Sequence, residues 1–293
     1  MRTFDYVAPK TLDEAIRVLS DAKVRARPIA GGTDLLEQID TGLKQPELLV
    51  DVKNIPELKR LEFKGDGLHI GAAATHTDVR LFGPVKQKYN ALAQGCGVVG
   101  YLQIQNRATV GGNICNASPC ADSVPALLIF DAKAVTIGPH GRREMPLYDF
   151  FTGPGATVLE RGEILLELLV PPPPPNSVSQ YIRNVPDEKR EITVASVACL
   201  LVMDSTGRTC KEARIALGAV SPVQTRAPSA EAVLKGKVIT EALVKEAARK
   251  AVGHTRPITD ERGTIEYRKA LIEDLTRQVI ARCLDSLTSS KAA

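Results

Sequence analysis

The residues with the most chemical promise are two glycine pairs set among short polar side chains. One stretch is Thr109-Val110-Gly111-Gly112-Asn113-Ile114-Cys115-Asn116-Ala117-Ser118-Pro119-Cys120-Ala121-Asp122. The other, far upstream, is Arg27-Pro28-Ile29-Ala30-Gly31-Gly32-Thr33-Asp34-Leu35-Leu36. Glycine tolerates positive φ and lets a bulky ligand come against backbone N–H groups. Successive N–H groups turned inward form a concave nest for an anion such as phosphate. Thr109, Asn113, Asn116 and Ser118 surround the second pair with hydrogen-bonding side chains, and Asp122 can accept from a sugar hydroxyl. Two such loops could clasp one diphosphate from two sides. Each alone reads equally well as a tight turn, but both are richer in donors than a turn needs.

Other chemistry finds less support. Gly95-Cys96-Gly97-Val98-Val99-Gly100 has the glycine spacing of a Rossmann fingerprint, which works only between a strand and a helix N-terminus. Here the preceding residues 86–94 are polar and helix-like, so a helix stop followed by a flexible turn is the better account. Cys115 and Cys120 flank the second loop. Nothing argues for a lowered thiol pKa, so they read as small loop thiols rather than a redox pair. The six cysteines, at 96, 115, 120, 199, 210 and 283, form no CxxC pair and the four histidines are dispersed, which argues against a zinc site. No GxSxG elbow, HExxH helix or phosphate-loop lysine motif occurs. No catalytic acid, base or nucleophile can be assigned from position.

The elements that must position the loops follow from periodicity and capping. Thr11 with Glu14 forms a capping box before an amphipathic helix carrying Leu12, Ala15, Ile16 and Leu19. Residues 28–30 read as a short strand delivering the first glycine pair. Residues 48–52 and 68–72 read as further strands. Residues 78–81 and 84–94 look helical, and residues 123–130 predict a buried helix beside the second loop. Residues 134–137 and 143–146 read as a hairpin whose tip carries His140, a solvated turn histidine. Residues 163–170 are a strand with an apolar core. The run Pro171–Pro175 is an extended, stiff spacer. Beyond it, residues 192–203 and 210–220 predict an antiparallel pair, and 227–234, 240–252 and 264–284 predict three helices.

The 293 residues have room for two domains, with ordinary hydrophobic (44%) and charged (25%) fractions. A net charge of +4 without a basic stripe, no Trp and 4% aromatics argue against nucleic acid as a partner. No apolar run is long enough to span a membrane. The opening Met1-Arg2-Thr3-Phe4-Asp5-Tyr6 lacks an apolar h-region, so no secretory leader is expected. Reduced thiols in the cytoplasm fit this cysteine usage.

The residues also carry a resemblance. Residues 29–36 and 103–122 resemble the motifs of the FAD-binding medium subunit of molybdenum hydroxylases, the xanthine dehydrogenase and carbon monoxide dehydrogenase type. Phe4-Asp5-Tyr6-Val7-Ala8-Pro9-Lys10-Thr11-Leu12-Asp13-Glu14-Ala15 is similar to the family's opening. So are Asp149-Phe150-Phe151-Thr152-Gly153-Pro154-Gly155, Glu163-Ile164-Leu165-Leu166 and Leu217-Gly218-Ala219-Val220-Ser221-Pro222. The match runs in order along nearly the whole chain.

The resemblance implies an α+β fold: a two-lobed FAD-binding domain of the vanillyl-alcohol oxidase (PCMH) type over residues 1–173, with lobes of about 1–55 and 56–173. A small C-terminal domain with an antiparallel sheet and helices would cover 174–293. It implies that Pro28, Ile29, Ala30, Gly31, Gly32, Thr33, Asp34 and Leu35, with Thr109, Val110, Gly111, Gly112 and Asn113, hold the FAD diphosphate. Asp122 would contact the ribitol or ribose region and Leu165 would add a contact. Arg183 stands where the family usually has lysine. Arginine keeps the charge but forks and is bulkier. Gln105 replaces the arginine of the usual Gln-Ile-Arg-Asn. The family's iron-binding four-cysteine insertion is missing, so no iron is expected on this chain. The implied partners are a molybdopterin-binding large subunit and a small subunit with two-iron two-sulfur clusters, assembled as a dimer of heterotrimers. The implied function is electron transfer through FAD from those clusters to an external acceptor. A non-catalytic nucleotide-binding scaffold and a stand-alone FAD oxidoreductase are the alternatives.

Overall fold

The structure is a computed structural model and describes residues 3–185 and 192–289. Two compact units are built from interleaved segments. The first takes residues up to Val79, then Gly100–Ala117 and Ala132–Pro171; the second takes Arg80–Val99, Ser118–Asp131 and residues from Pro172 on.

The first unit holds two sheets. In the smaller, Leu48–Asp51 lies between Asp5–Val7 and Ala26–Ile29, all parallel. Leu49 and Val50 are buried there. The connection between the first two strands contains the helix Leu12–Ser20. Thr11 caps it as expected, its Oγ1 accepting from the Glu14 N–H at 3.3 Å, but the Glu14 carboxylate accepts from the Lys10 N–H at 2.9 Å, one residue before the cap whose N–H a capping box would use. Ala15 and Leu19 face the core as their spacing predicted. The larger sheet is antiparallel, in the order Leu61–Lys64, Gly67–Gly71, Ile164–Val170, Lys133–Gly138, Gly141–Pro146. His140 is exposed in the turn between Lys133–Gly138 and Gly141–Pro146, as expected of a turn residue.

The second unit is an antiparallel sheet with helices. Its strands run Ser177–Asn184, Ala195–Met203, Thr209–Gly218, Thr225–Arg226, with Lys237–Val238 on the edge of the third. Ala195–Met203 is buried along its whole length. The helices Pro228–Leu234, Glu241–Val252 and Ile265–Ser289 supply the apolar cover, with Thr240 capping the second through the Leu243 N–H. Ser123–Ile129 is buried at every position, as its composition predicted.

Several elements differ from expectation, three of them with consequences for packing. The strand Ser177–Asn184 reads as polar and was not anticipated. Its neighbour is the helix Asn90–Gly97, which meets it through Gln94: Gln94 Oε1 accepts from the Tyr181 N–H at 2.7 Å, and Gln94 Nε2 donates to Gln180 Oε1 at 2.7 Å. Val178 and Ile182 reach the core, but the serines, glutamine and asparagine around them leave only a weak apolar pattern. The helix expected over 84–94 breaks at Tyr89 (φ −123°) into Gly83–Lys88 and Asn90–Gly97. The break places the Tyr89 ring edge-on to Phe130, with centroids 5.0 Å apart. The third is Val110–Asn116, treated as a loop but helical.

The Rossmann-like glycines find a packing role. Gly95 and Gly97 end that same helix, where a Cβ would stand 2.7 Å from the Asp122 carbonyl oxygen and 3.0 Å from Arg80 Cδ, respectively. Among the described residues, no helix is long and apolar enough to cross a membrane, and no cluster of His, Cys, Asp or Glu could hold a metal ion.

Candidate functional site

The first glycine pair leaves the C-terminal end of the parallel strand Ala26–Ile29, which carries Pro28 and Ile29, and leads through Ala30 into the helix Leu35–Asp40. Gly32 has φ +78°, a left-handed conformation that favours glycine, with Ile29 and Leu36 packed around it. Among the described residues, the successive N–H groups of Gly31, Gly32, Thr33 and Asp34 have no protein acceptor. Asp34 makes no capping bond with its side chain. Desolvation and the charge of Glu37 push its carboxyl above the ordinary value.

The segment just before the second glycine pair packs on the first pair. A Cβ on Gly31 would stand 2.4 Å from the Arg107 carbonyl oxygen and 2.9 Å from Ala108 Cα. Arg107 Nε donates to the Gly31 carbonyl at 3.1 Å, and Gln38 Nε2 donates to Asn116 Oδ1 at 3.0 Å. On its other side the same segment is stitched to residues 74–76. The Val110 N–H donates to the Ala74 carbonyl at 2.9 Å, the His76 N–H donates to the Ala108 carbonyl at 3.1 Å, and Thr75 bridges Thr109. Gly111 is pressed on Ala72, whose Cα and carbonyl oxygen both lie 2.5 Å from where a Cβ would be.

This geometry corrects the reading of the glycines. A side chain at Gly31 would meet the backbone of Arg107 and Ala108, so glycine there lets the first stretch close on the segment leading into the second, while a side chain at Gly111 would meet the Ala72 backbone. Thr109 is the N-cap of Val110–Asn116, and its Oγ1 accepts from the Gly112 N–H at 2.9 Å. One donor counted for the anion is thus used by the protein. The Gly111 N–H, by contrast, has no acceptor among the described residues. Asn113 continues the helix, its N–H donating to the Thr109 carbonyl at 3.0 Å.

Leu165 is 3% exposed in the strand Ile164–Val170, opposite Thr136. The ladder shifts between Leu165 and Glu167, and the Leu166 carbonyl there accepts from the Ala72 N–H at 3.0 Å. That bulge ties the strand to the wall against which Gly111 packs.

His76, with no spacing signal in the sequence, is fully buried in this wall. Among the described residues, neither ring nitrogen has a hydrogen-bond partner, and burial pushes its pKa down to about 4. Cys115 is pushed up to about 12 by burial, and burial also raises Cys120. Neither has the lowered pKa of a reactive thiol.

Asp122 and Arg183 belong to the second unit, where they pair with each other. Arg183 Nη1 donates to Asp122 Oδ2 at 3.0 Å, Thr193 Oγ1 donates to Oδ1 at 2.6 Å, and the Tyr181 hydroxyl donates to the same oxygen. Burial raises the Asp122 carboxyl, and Arg183, Thr193 and Tyr181 oppose that rise. The carboxylate therefore already accepts three bonds, and a sugar hydroxyl would be a fourth. Tyr181 and Thr193 were not foreseen. The signal available was the i, i+2 spacing of Tyr181 and Arg183, which puts both on one face of a strand.

Among the described residues, the turn at 31–34 leaves a run of successive backbone donors open, the kind of nest an anion can occupy. Residues 2–173, more than half of the chain, match the FAD binding domain in molybdopterin dehydrogenase. The chain belongs to this molybdenum hydroxylase FAD-subunit family. Residues 180–283 match the CO dehydrogenase flavoprotein C-terminal domain. The carbon monoxide dehydrogenase medium chain of Hydrogenophaga pseudoflava is 31% identical over 284 residues, covering 96% of this chain and 98% of that one. The xanthine dehydrogenase FAD-binding subunit of Escherichia coli O157:H7 is 31% identical over 281 residues, covering 95% of both. The crystal structure of quinoline 2-oxidoreductase from Pseudomonas putida 86 matches with a TM-score of 0.92 at 30% identity, over 98% of each chain. The α+β architecture is that of a PCMH-type FAD-binding fold followed by a flavoprotein C-terminal domain.

Proposed function

We propose that this chain is the FAD-binding electron-transfer subunit of a molybdenum-containing hydroxylase or dehydrogenase. The carrying observation is a glycine turn, packed on the segment that leads into the second glycine pair, whose successive N–H groups lack protein acceptors among the described residues. When bound, FAD supplies the redox chemistry, accepting electrons from iron–sulfur clusters and passing them to an external acceptor.

The protein's own residues bind and orient. The N–H groups of Gly31, Gly32, Thr33 and Asp34, with that of Gly111, donate to the diphosphate; Pro28, Ile29, Ala30 and Leu35 frame that turn. Thr109, Val110, Gly112 and Asn113 build the helical wall behind it. Asp122 takes a ribitol or ribose hydroxyl, and Arg183 pairs with that carboxylate while placing positive charge on the flavin side. Leu165 lines the pocket through its strand. No side chain acts as acid, base or nucleophile.

The working boundary of this proposal falls at residue 173, with lobes of about 1–55 and 56–173. Its support is that one sheet ends at Asp51 and the other spans Leu61–Val170. The partners in this reading are a molybdopterin-binding large subunit and an iron–sulfur small subunit, arranged as a cytoplasmic dimer of heterotrimers. The medium-chain names of the relatives support separate large and small chains.

Reconstitution of the full chain with FAD is the test. A yellow protein that retains flavin through gel filtration and bleaches with dithionite is expected. A colourless chain that refuses FAD overturns the reading, and a bound nucleotide that dithionite leaves unchanged would make the chain a scaffold.

A further inference from the structure

We propose that Arg107 is a diphosphate-binding residue, the cation of a site whose other donors are neutral backbone amides; this rests on the FAD reading above. Arg107 is exposed, and its Nε is fixed to the Gly31 carbonyl at 3.1 Å. Its own carbonyl oxygen fills the space a Gly31 side chain would need. Main chain and guanidinium are therefore both anchored to the turn that carries the open N–H groups of residues 31–34. No carboxylate lies in ion-pair range of Arg107 among the described residues. A guanidinium has five N–H donors in a rigid fork, and only the Nε donor is used here.

The charge balance points the same way. The turn itself contributes carboxylates, at Asp34 and Glu37, and no Lys or Arg between residues 28 and 43. A doubly charged diphosphate arriving there meets repulsion that dipolar amides alone would have to overcome. An arginine anchored to that turn, with no ion-pair partner among the described residues, supplies the missing positive charge, and its planar fork suits phosphate oxygens.

The experiment measures FAD affinity of the full-length, deflavinated chain by quenching of flavin fluorescence, at low and high salt. Wild type, Arg107→Gln and Arg107→Lys are compared. The glutamine variant is expected to bind FAD about tenfold or more weakly, from loss of a charge-assisted contact. Its affinity should also depend less on salt, because a screened attraction has gone. The lysine variant keeps the charge and should fall between the two while retaining the salt dependence, so it also guards against a folding failure in the glutamine variant. Equal affinity of the glutamine variant and wild type overturns the proposal. A weakened glutamine variant with wild-type salt dependence also overturns it, since Arg107 would then only clasp the two stretches. Failure of the wild-type chain to bind FAD defeats the functional reading instead, and is read independently.

Discussion

His76 shows how a single buried side chain sets a pH dependence. In the unfolded chain its imidazole titrates near 6.5; folded, burial holds it at about 4. Between those values the unfolded state binds a proton that the folded state refuses. Stability is therefore intact above 6.5 and falls as pH drops towards 4. The loss from this group between pH 7 and pH 5 is about 2 kcal/mol. Replacing His76 with Leu should remove that slope, and urea midpoints at the two pH values would show it; an unchanged slope would place the acid sensitivity elsewhere. At this scale the glycine pairs, Asp122 and Arg183 were legible because their residue types fix their options. His76 was not, since a lone histidine has no periodicity and only its packing reveals that it lacks partners. Gln105 was noted as a lost charge. It is 5% exposed and donates to the Gly100 carbonyl at 3.3 Å, so it supports the turn before the second stretch.

At the scale of elements, the helix Val110–Asn116 separates two glycines that look alike in sequence. A Cβ at Gly111 collides with the Ala72 backbone at 2.5 Å; at Gly112 it meets only Thr109 Oγ1, at 2.9 Å. Backbone cannot swing away, whereas a hydroxyl can. Gly111→Ala should therefore cost about 1–3 kcal/mol through overpacking, and loosen FAD by moving the wall. Gly112→Ala should cost at most about the worth of a cap, roughly 1 kcal/mol. Thermal melts of the two variants, each with and without FAD, check the order; a milder effect at Gly111 would contradict the packing described. The helix itself was hidden because two adjacent glycines oppose helix formation, and it persists through the Thr109 cap and the stitching to residues 74–76. The strand Ser177–Asn184 was hidden for another reason: only Val178, Tyr181 and Ile182 of its eight residues are apolar, and polar bonds to Asn90 and Gln94 tie the strand to its neighbour. The long apolar strand Ala195–Met203 and the capped first helix were legible, because burial and capping leave strong local signals.

At the scale of the whole molecule, the family boundary and the packing boundary differ. The family match of the FAD-binding domain ends at residue 173, yet Arg80–Val99 and Ser118–Asp131 are packed with the sheet that begins at Ser177. Ser123–Ile129 is wholly buried there, and Gly218 lies so close to Pro125 that a Cβ would stand 2.9 Å from its Cγ. A fragment of residues 1–173 should accordingly bind a hydrophobic dye and aggregate, whereas the full chain should not. Light scattering and dye fluorescence of the two proteins decide it, and a monomeric, dye-silent fragment would count against this interleaving. The sequence could not show this, because local pattern says what an element is but not which distant segment completes its core.

Interleaving also has a consequence at the ribosome. The helix Ser123–Ile129 leaves the exit tunnel well before the strands that bury it have been made. At about 5–20 residues per second, the apolar helix waits for several seconds without its cover. The nascent chain thus passes through a period when a holdase has something to hold, and slower decoding of the segment after Pro175 would lengthen that exposure.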